Sequence, residues 1–136
     1  MFEVNVLGVL HATRAATRRM LDRGPGDVVF VSSLADRRVP RADGTVYAAT
    51  KHAMSAIAEA LRMELHAKGI RAISVEPGLV RTEFPSSSFP RPKNTTCREY
   101  SPLEAQDVAS AVLYAVEQPP HVSVNEILVR PTDQPK

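Results

Sequence analysis

The chain has 136 residues, with 17 basic against 15 acidic side chains and a single cysteine, Cys97. That length can bury a core but is short for a complete dinucleotide-binding enzyme, and the scattered, near-balanced charge argues against nucleic acid as a partner. One cysteine excludes an internal disulfide framework or a multi-cysteine zinc site, and the sequence has neither a membrane-length apolar stretch nor a signal-peptide pattern, so a cytoplasmic protein is expected.

Val6, Leu7, Leu10, Ala15 and Met20 recur at mixed three- and four-residue spacing with arginines between them, which predicts an amphipathic helix from Phe2 to Leu21. It begins without a polar lead or N-cap, as though the chain opened inside a larger fold. Arg23-Gly24-Pro25-Gly26 ends it, and Asp27 leads into Val28-Val29-Phe30-Val31, a run predicted as a strand buried on both faces. Ser32 and Ser33 close that strand, and a polar loop follows with Asp36, Arg37, Arg38, Pro40, Arg41, Asp43 and Gly44.

From Tyr47 to about Lys68 the pattern is helical, with Ala53, Ile57, Ala60, Leu61 and Leu65 on one side and Gly69 as its cap. Ile70 to Val75 reads as a strand ended by Glu76-Pro77-Gly78, since proline lacks the N–H for ladder pairing. Phe84 to Tyr100, rich in proline and serine, predicts a mobile loop or lid. Ser101-Pro102-Leu103-Glu104 supplies an N-cap serine, a proline at N1 and a glutamate at N3 for a helix to about Gln118, and Ile127-Leu128-Val129 forms a last strand before Pro131.

Strands separated by helices, with no hairpin signal, predict one parallel α/β domain over residues 1–136. Ligands of such sheets gather beyond the carboxyl ends of the strands, where Ser32-Ser33 and Pro77-Gly78 fall. Tyr47 and Lys51 stand at i and i+4 on one helix face, and a nearby positive charge favours phenolate, bringing a phenol toward acid/base use. Taken alone, the spacing equally describes a surface pair. A serine hydroxyl can donate to and accept from a substrate oxygen, or simply cap a strand. Gly78 would let a flat ligand approach the backbone and Thr82 offers a hydroxyl, with a plain strand-ending turn as the alternative.

Together, Asn5-Val-x-Gly8, Val31-Ser32-Ser33, Tyr47-x-x-x-Lys51 and Pro77-Gly78-x-Val80-x-Thr82 resemble, in this order and over nearly the whole chain, the short-chain dehydrogenase/reductase family. The resemblance implies the C-terminal catalytic half of a Rossmann-like, doubly wound parallel sheet, in the order α-β-α-β-α-β. It implies hydride transfer between NAD or NADP and a carbonyl or secondary alcohol. Tyr47 would be the general acid or base, and Lys51 would lower its pKa and bind the nicotinamide ribose. Ser33 would hold the substrate oxygen and Asn5 a water of the proton relay. Pro77, Gly78, Val80 and Thr82 would form the turn that meets the nicotinamide, Thr82 at its carboxamide. The interval from Ser33 to Tyr47 is one residue longer than is usual in the family, which leaves Ser32 open as the substrate serine. A homodimer or tetramer through the helices carrying Asn5 and Tyr47 is also implied, and Val124 to Thr132 is similar to the ends of members that act on small hydroxy acids or secondary alcohols.

The family's glycine-rich phosphate turn has no counterpart here, because Gly24-Pro25-Gly26 precedes a strand and lacks a third glycine. The expectations are therefore that the N-terminal cofactor-binding half is missing, that nothing in the chain selects NAD over NADP, and that the chain folds poorly alone. The rival expectation is a non-catalytic remnant acting through oligomerisation or another interaction; epimerase or lyase chemistry on the same pair is a third. Arg37, Arg38 and Arg41 read as solvated loop charges. His11, His52, His66 and His121 lack metal-ligand spacing, so no metal is expected, and Asn94-Thr95-Thr96 reads as an accidental glycosylation match.

Overall fold

Along each strand the side chains alternate between two faces, and that alternation decides where the helices can pack. The computed structural model describes residues 1–39, 44–82 and 101–134. A π-helical turn over Glu3–Gly8 runs into α1 (Val9–Arg23), followed by β1 (Gly26–Val31), a 3-10 turn over Leu34–Asp36, α2 (Thr45–Leu65), β2 (Ile70–Pro77), α3 (Ala105–Val116) and β3 (Glu126–Val129). Between α2 and β2, Gly69 adopts the left-handed conformation (φ 70°) that ends the helix, as its position predicts. The expected lid, together with Pro40, Arg41, Asp43, Asn94-Thr95-Thr96 and Cys97, lies outside the described residues.

The three strands form one parallel sheet in the order β1-β2-β3, with Val28 opposite Ala72 and Val75 opposite Ile127. On one face Phe30, Ile70 and Ala72 pack with Ala58, Leu61 and Leu65 of α2, and Val9 and Met20 of α1 join them. On the other, Ile73 and Val75 pack with Ala115, Val112 and Val108 of α3 and with Val29 and Ile127. Helices on both faces of a parallel sheet give the predicted doubly wound α/β arrangement.

Four expectations need correction. In the first helix only Val6 and Met20 of the predicted apolar stripe are even half-buried; Leu7, Leu10 and Ala15 are exposed, because the helix meets the sheet mainly through Val9 and Met20. β1 is half-buried rather than enclosed, with Val31 51% exposed, since β1 is an edge strand and α3 packs over β2 and β3. On α2, Ala60 is exposed and the buried stripe runs through Thr50, Met54, Ala58, Leu61 and Leu65. Finally, α3 starts at Ala105, with Glu104 as N-cap and Asp107 completing a capping box. Leu103 is already committed: its N–H donates to Leu79 O (2.9 Å) and its carbonyl accepts from Arg81 N (2.7 Å), so Ser101-Pro102 cannot open the helix.

The second strand ends at Pro77, as predicted, although its pairing runs two residues beyond Val75 and leaves Pro77 in register with Val129. Ser74 N and Gly78 N both donate toward β3, so Pro77's missing N–H faces β1, where pairing has already stopped at Val31–Val75. The breaker thus falls where no donor is needed.

At the amino end of the sheet, Arg71 on β2 grips Asp27, its direct partner on β1, through two hydrogen bonds of 2.6 and 2.8 Å. The same guanidinium donates to the carbonyls of Val116 (3.0 Å), Gln118 (2.9 Å) and Val122 (2.9 Å), tying in the end of α3 and the chain that leads to β3. Arg71→Ala leaves a half-buried carboxylate and three carbonyls without this donor and is expected to cost ~3 kcal/mol. Arg71→Lys, which keeps the charge but loses the fork, should recover about half. Urea denaturation measures both, and an alanine variant as stable as the parent would show that the clamp contributes nothing.

Candidate active site

Buried Gly44 stands at the N-cap of α2, and Tyr47 and Lys51 lie on the helix's first turns, both half-buried. The Lys51 ammonium lies 5.7 Å from the centre of the Tyr47 ring, a cation–π distance, so the i, i+4 pair meets as its spacing predicts. Lys51 Nζ also donates to Met54 Sδ at 3.5 Å. Burial pushes the Lys51 ammonium below the ordinary lysine pKa, and the charge of Asp36 partly opposes that.

Asn5 sits in the π-helical turn, a feature that recurs at functional sites. Its Nδ2 donates to Thr50 Oγ1 at 3.2 Å, and Thr50, fully buried, donates to Tyr47 O at 2.8 Å. One hydroxyl therefore joins the helix carrying Asn5 to the turn carrying Tyr47 and Lys51.

Ser32 N donates to Val75 O at 2.8 Å, which brings the end of β1 beside the end of β2. The Ser32 hydroxyl is buried without a hydrogen-bond partner, whereas Ser33 is half-buried and its Oγ accepts from Ala35 N at 3.2 Å, capping the 3-10 turn. Beyond β2 the close approach that Gly78 allows is to the chain itself: a Cβ there would lie 2.7 Å from Arg130 Cβ and would also meet Gln134. Val80 is held in a parallel bridge with Leu103, while Thr82 is exposed. Tyr47 and Lys51 are thus in direct contact and Asn5 is linked to them through Thr50, whereas Ser33, Pro77, Gly78, Val80 and Thr82 stand on separate supports.

A sequence profile described as short chain dehydrogenase matches residues 1–93. The chain belongs to the short-chain dehydrogenase family. It is similar to an oxidoreductase of Staphylococcus aureus (strain MRSA252), 38% identical over 131 residues that cover 96% of this chain and 53% of that protein. Among solved structures it is similar to serine dehydrogenase from Escherichia coli, at TM-score 0.78 and 30% identity over 97% of this chain and 52% of that one. It is also similar to a closed form of serine dehydrogenase complexed with NADP+, at TM-score 0.83 and 30% identity over 100% and 56% of the respective chains. The chain spans about half the length of these relatives, and its sheet is a partial Rossmann-like fold.

In this short-chain dehydrogenase segment the structure adds charged residues that motif reading passed over. Arg37 is not a solvated loop charge: it forms a bidentate pair with Glu76, with Nη2 donating to Oε1 at 3.1 Å and Nε to Oε2, and Nη2 also reaches Glu126 at 2.5 Å. These contacts, with the Glu76 hydrogen bond foremost, raise the proton affinity of Arg37. Glu76 is only 2% exposed, and burial outweighs Arg37 there, holding its carboxyl above the ordinary glutamate pKa with the charges of Asp36 and Glu126 adding to the rise. Asp36 is 5% exposed, and neither of its carboxylate oxygens has a hydrogen-bond partner. The sequence signal was present, as acidic and basic residues beside a strand end, but spacing cannot pair residues 39 positions apart.

A carboxyl whose pKa is raised by folding makes the folded state bind its proton more tightly than the unfolded chain does. Its stabilising contribution is complete below the unfolded pKa and is lost as pH rises through the folded one. Glu76→Gln should therefore match the parent in stability below the ordinary glutamate range and gain on it as pH rises above that range. Urea midpoints at a series of pH values test this, and a gap that narrows with rising pH would contradict it.

Proposed function

We propose that the chain supplies the catalytic half of a nicotinamide-dependent oxidoreductase acting on a carbonyl or secondary alcohol, including small hydroxy acids. The observation that carries this reading is the Tyr47–Lys51 pair, tied through Thr50 to Asn5, on a helix packed beside the carboxyl edge of the sheet.

NAD or NADP, when bound, supplies or accepts the hydride. In reduction Tyr47 would pass its hydroxyl proton to the substrate oxygen while hydride reaches the carbonyl carbon; in oxidation it takes the proton back. Lys51, positively charged beside the ring, would oppose the negative charge left on the tyrosine oxygen. The residues suit the ribose end of the cofactor: an ammonium has three donors, and the thioether of Met54 is a weak acceptor, so donors remain for ribose hydroxyls. Ser33 Oγ spends acceptor capacity on Ala35 N, which leaves its own proton free to donate to the substrate oxygen. Asn5 would hold a relay water, and Pro77, Gly78, Val80 and Thr82 would form the turn against the nicotinamide.

Joined to the nucleotide-binding half of a relative, the chain should bind NADH or NADPH, detectable by nucleotide fluorescence, and oxidise it with members of a carbonyl panel. Tyr47→Phe should lower kcat by about a thousandfold with nucleotide affinity nearly unchanged. Failure to bind either nucleotide, with no turnover across the panel, would sink the reading.

A second reading, a non-catalytic module that pairs with its own kind or with a longer relative, is favoured by the exposed Phe2, Val4, Leu7 and Leu10 of the first helix and Val46 of α2. Stable pairing in sedimentation, without nucleotide binding, would support it, while a lone monomer would remove it.

A further inference from the structure

Asp36 plays no part in the mechanism above, yet it is the most anomalous charged group in the described chain. It closes the 3-10 turn Leu34–Asp36, which packs directly on α2. Both carboxylate oxygens are shut off from solvent and have no hydrogen-bond partner. Burying a carboxylate in that state is costly, so in a chain of ordinary fold economy an asparagine, or an apolar residue, would serve the turn better. The neighbouring basic residue, Arg37, is committed elsewhere, to Glu76 and Glu126. Arg71 is committed to Asp27 at the opposite end of the sheet.

We infer that Asp36 is a positioning residue of the Tyr47–Lys51 pair: its buried, unpartnered carboxylate, on the turn packed against α2, is the counter-charge that holds the Lys51 ammonium beside the Tyr47 ring. The inference rests on the catalytic reading of that pair. Lys51 is half-buried, with a thioether and an aromatic face as its contacts, a poor setting for a cation without a counter-charge. Asp36's charge acts on Lys51 to strengthen its hold on the proton, and on Glu76 in the same sense. The charged and titratable groups around it are therefore Lys51 and Tyr47 from α2, Glu76 from β2, Arg37 from its own turn, and Glu126 from β3 behind Arg37. Among these, Lys51 is the cation with no carboxylate partner in a direct ion pair. A counter-charge set back from the ammonium, rather than bonded to it, opposes the effect of burial while leaving N–H groups for a ligand.

The test is the titration of Lys51 in the full chain without cofactor or substrate, read by mass spectrometry as the pH dependence of acylation of that one amine. Asp36→Asn keeps the shape and removes the charge. It should lower the Lys51 midpoint by about one unit, so that below the midpoint the amine is acylated roughly tenfold faster. Because the carboxylate has no partner to lose, the same variant should be no less stable than the parent in urea. An unchanged midpoint would overturn the proposal, and so would an Asp36→Asn chain that unfolds, since Asp36 would then be holding the fold. Asp36→Glu, which restores a charge in the same turn, should return the midpoint toward that of the parent. None of these readouts involves hydride transfer, so loss of the oxidoreductase reading would leave the Lys51 result standing.

Discussion

Arg71 and Asp27 are direct partners across β1 and β2, so their ion pair fixes the register of the two strands at the amino end of the sheet. In a parallel pair a slip of β1 by one residue would turn its core side chains to the wrong face, and Phe30 would leave α2 for the side of the sheet that α3 covers. The remaining donors of Arg71 collect three carbonyls from the region where α3 ends and the chain turns toward β3. Val116 O is one of the carbonyls a helix end leaves without partners, while Gln118 O and Val122 O belong to the turn beyond it, so one side chain ties both to the sheet.

The two ends of the sheet are electrostatic opposites. At the amino end charge and hydrogen-bonding capacity are matched. Toward the carboxyl end Ser32, Asp36 and Ser74 keep polar atoms buried without partners, and Glu76 is buried with burial outweighing its arginine. Native structures leave few such atoms, and clusters of them concentrate where a ligand or a reaction completes the set. The amino end thus contributes stability, and the carboxyl end holds groups that cost it, a division found where strain is stored at functional sites.

The order of helices and strands was legible because it is written locally, in the change of period from three or four to two and in Gly24, Gly26 and Gly69. Tyr47 and Lys51 were legible for the same reason, since i, i+4 is a property of one helix. What could not be read was decided by partners distant in sequence. The start of α3 moved because Leu103 is claimed by Leu79 and Arg81, and Ser101 N instead donates to Asp133 at 3.1 Å. β1 looked enclosed because four apolar residues in a row say nothing about how far the covering helix extends. Asn5 and Thr50 stand 45 positions apart, so their bond is a fact of packing. Arg37 looked like one more loop charge because its two carboxylates enter the chain only with β2 and β3.

The turn that carries Thr82 shows how the same distant partners shape the site. Gly78 N donates to Val129 O at 2.7 Å, Leu79 N to Gln134 Oε1 at 3.0 Å, and Val80 bridges Leu103. Three successive residues are thus fixed to the exit of β3 and the approach to α3, and Arg130 occupies the space that a side chain at position 78 would need. Glycine at this point answers first to the packing of the chain against itself. A loop pinned on one side to its own sheet has its position set by that sheet. The precision of a site spread over separate elements therefore depends less on the loop's own sequence than on β3 and the residues after it, the part of the chain that carries no motif of its own.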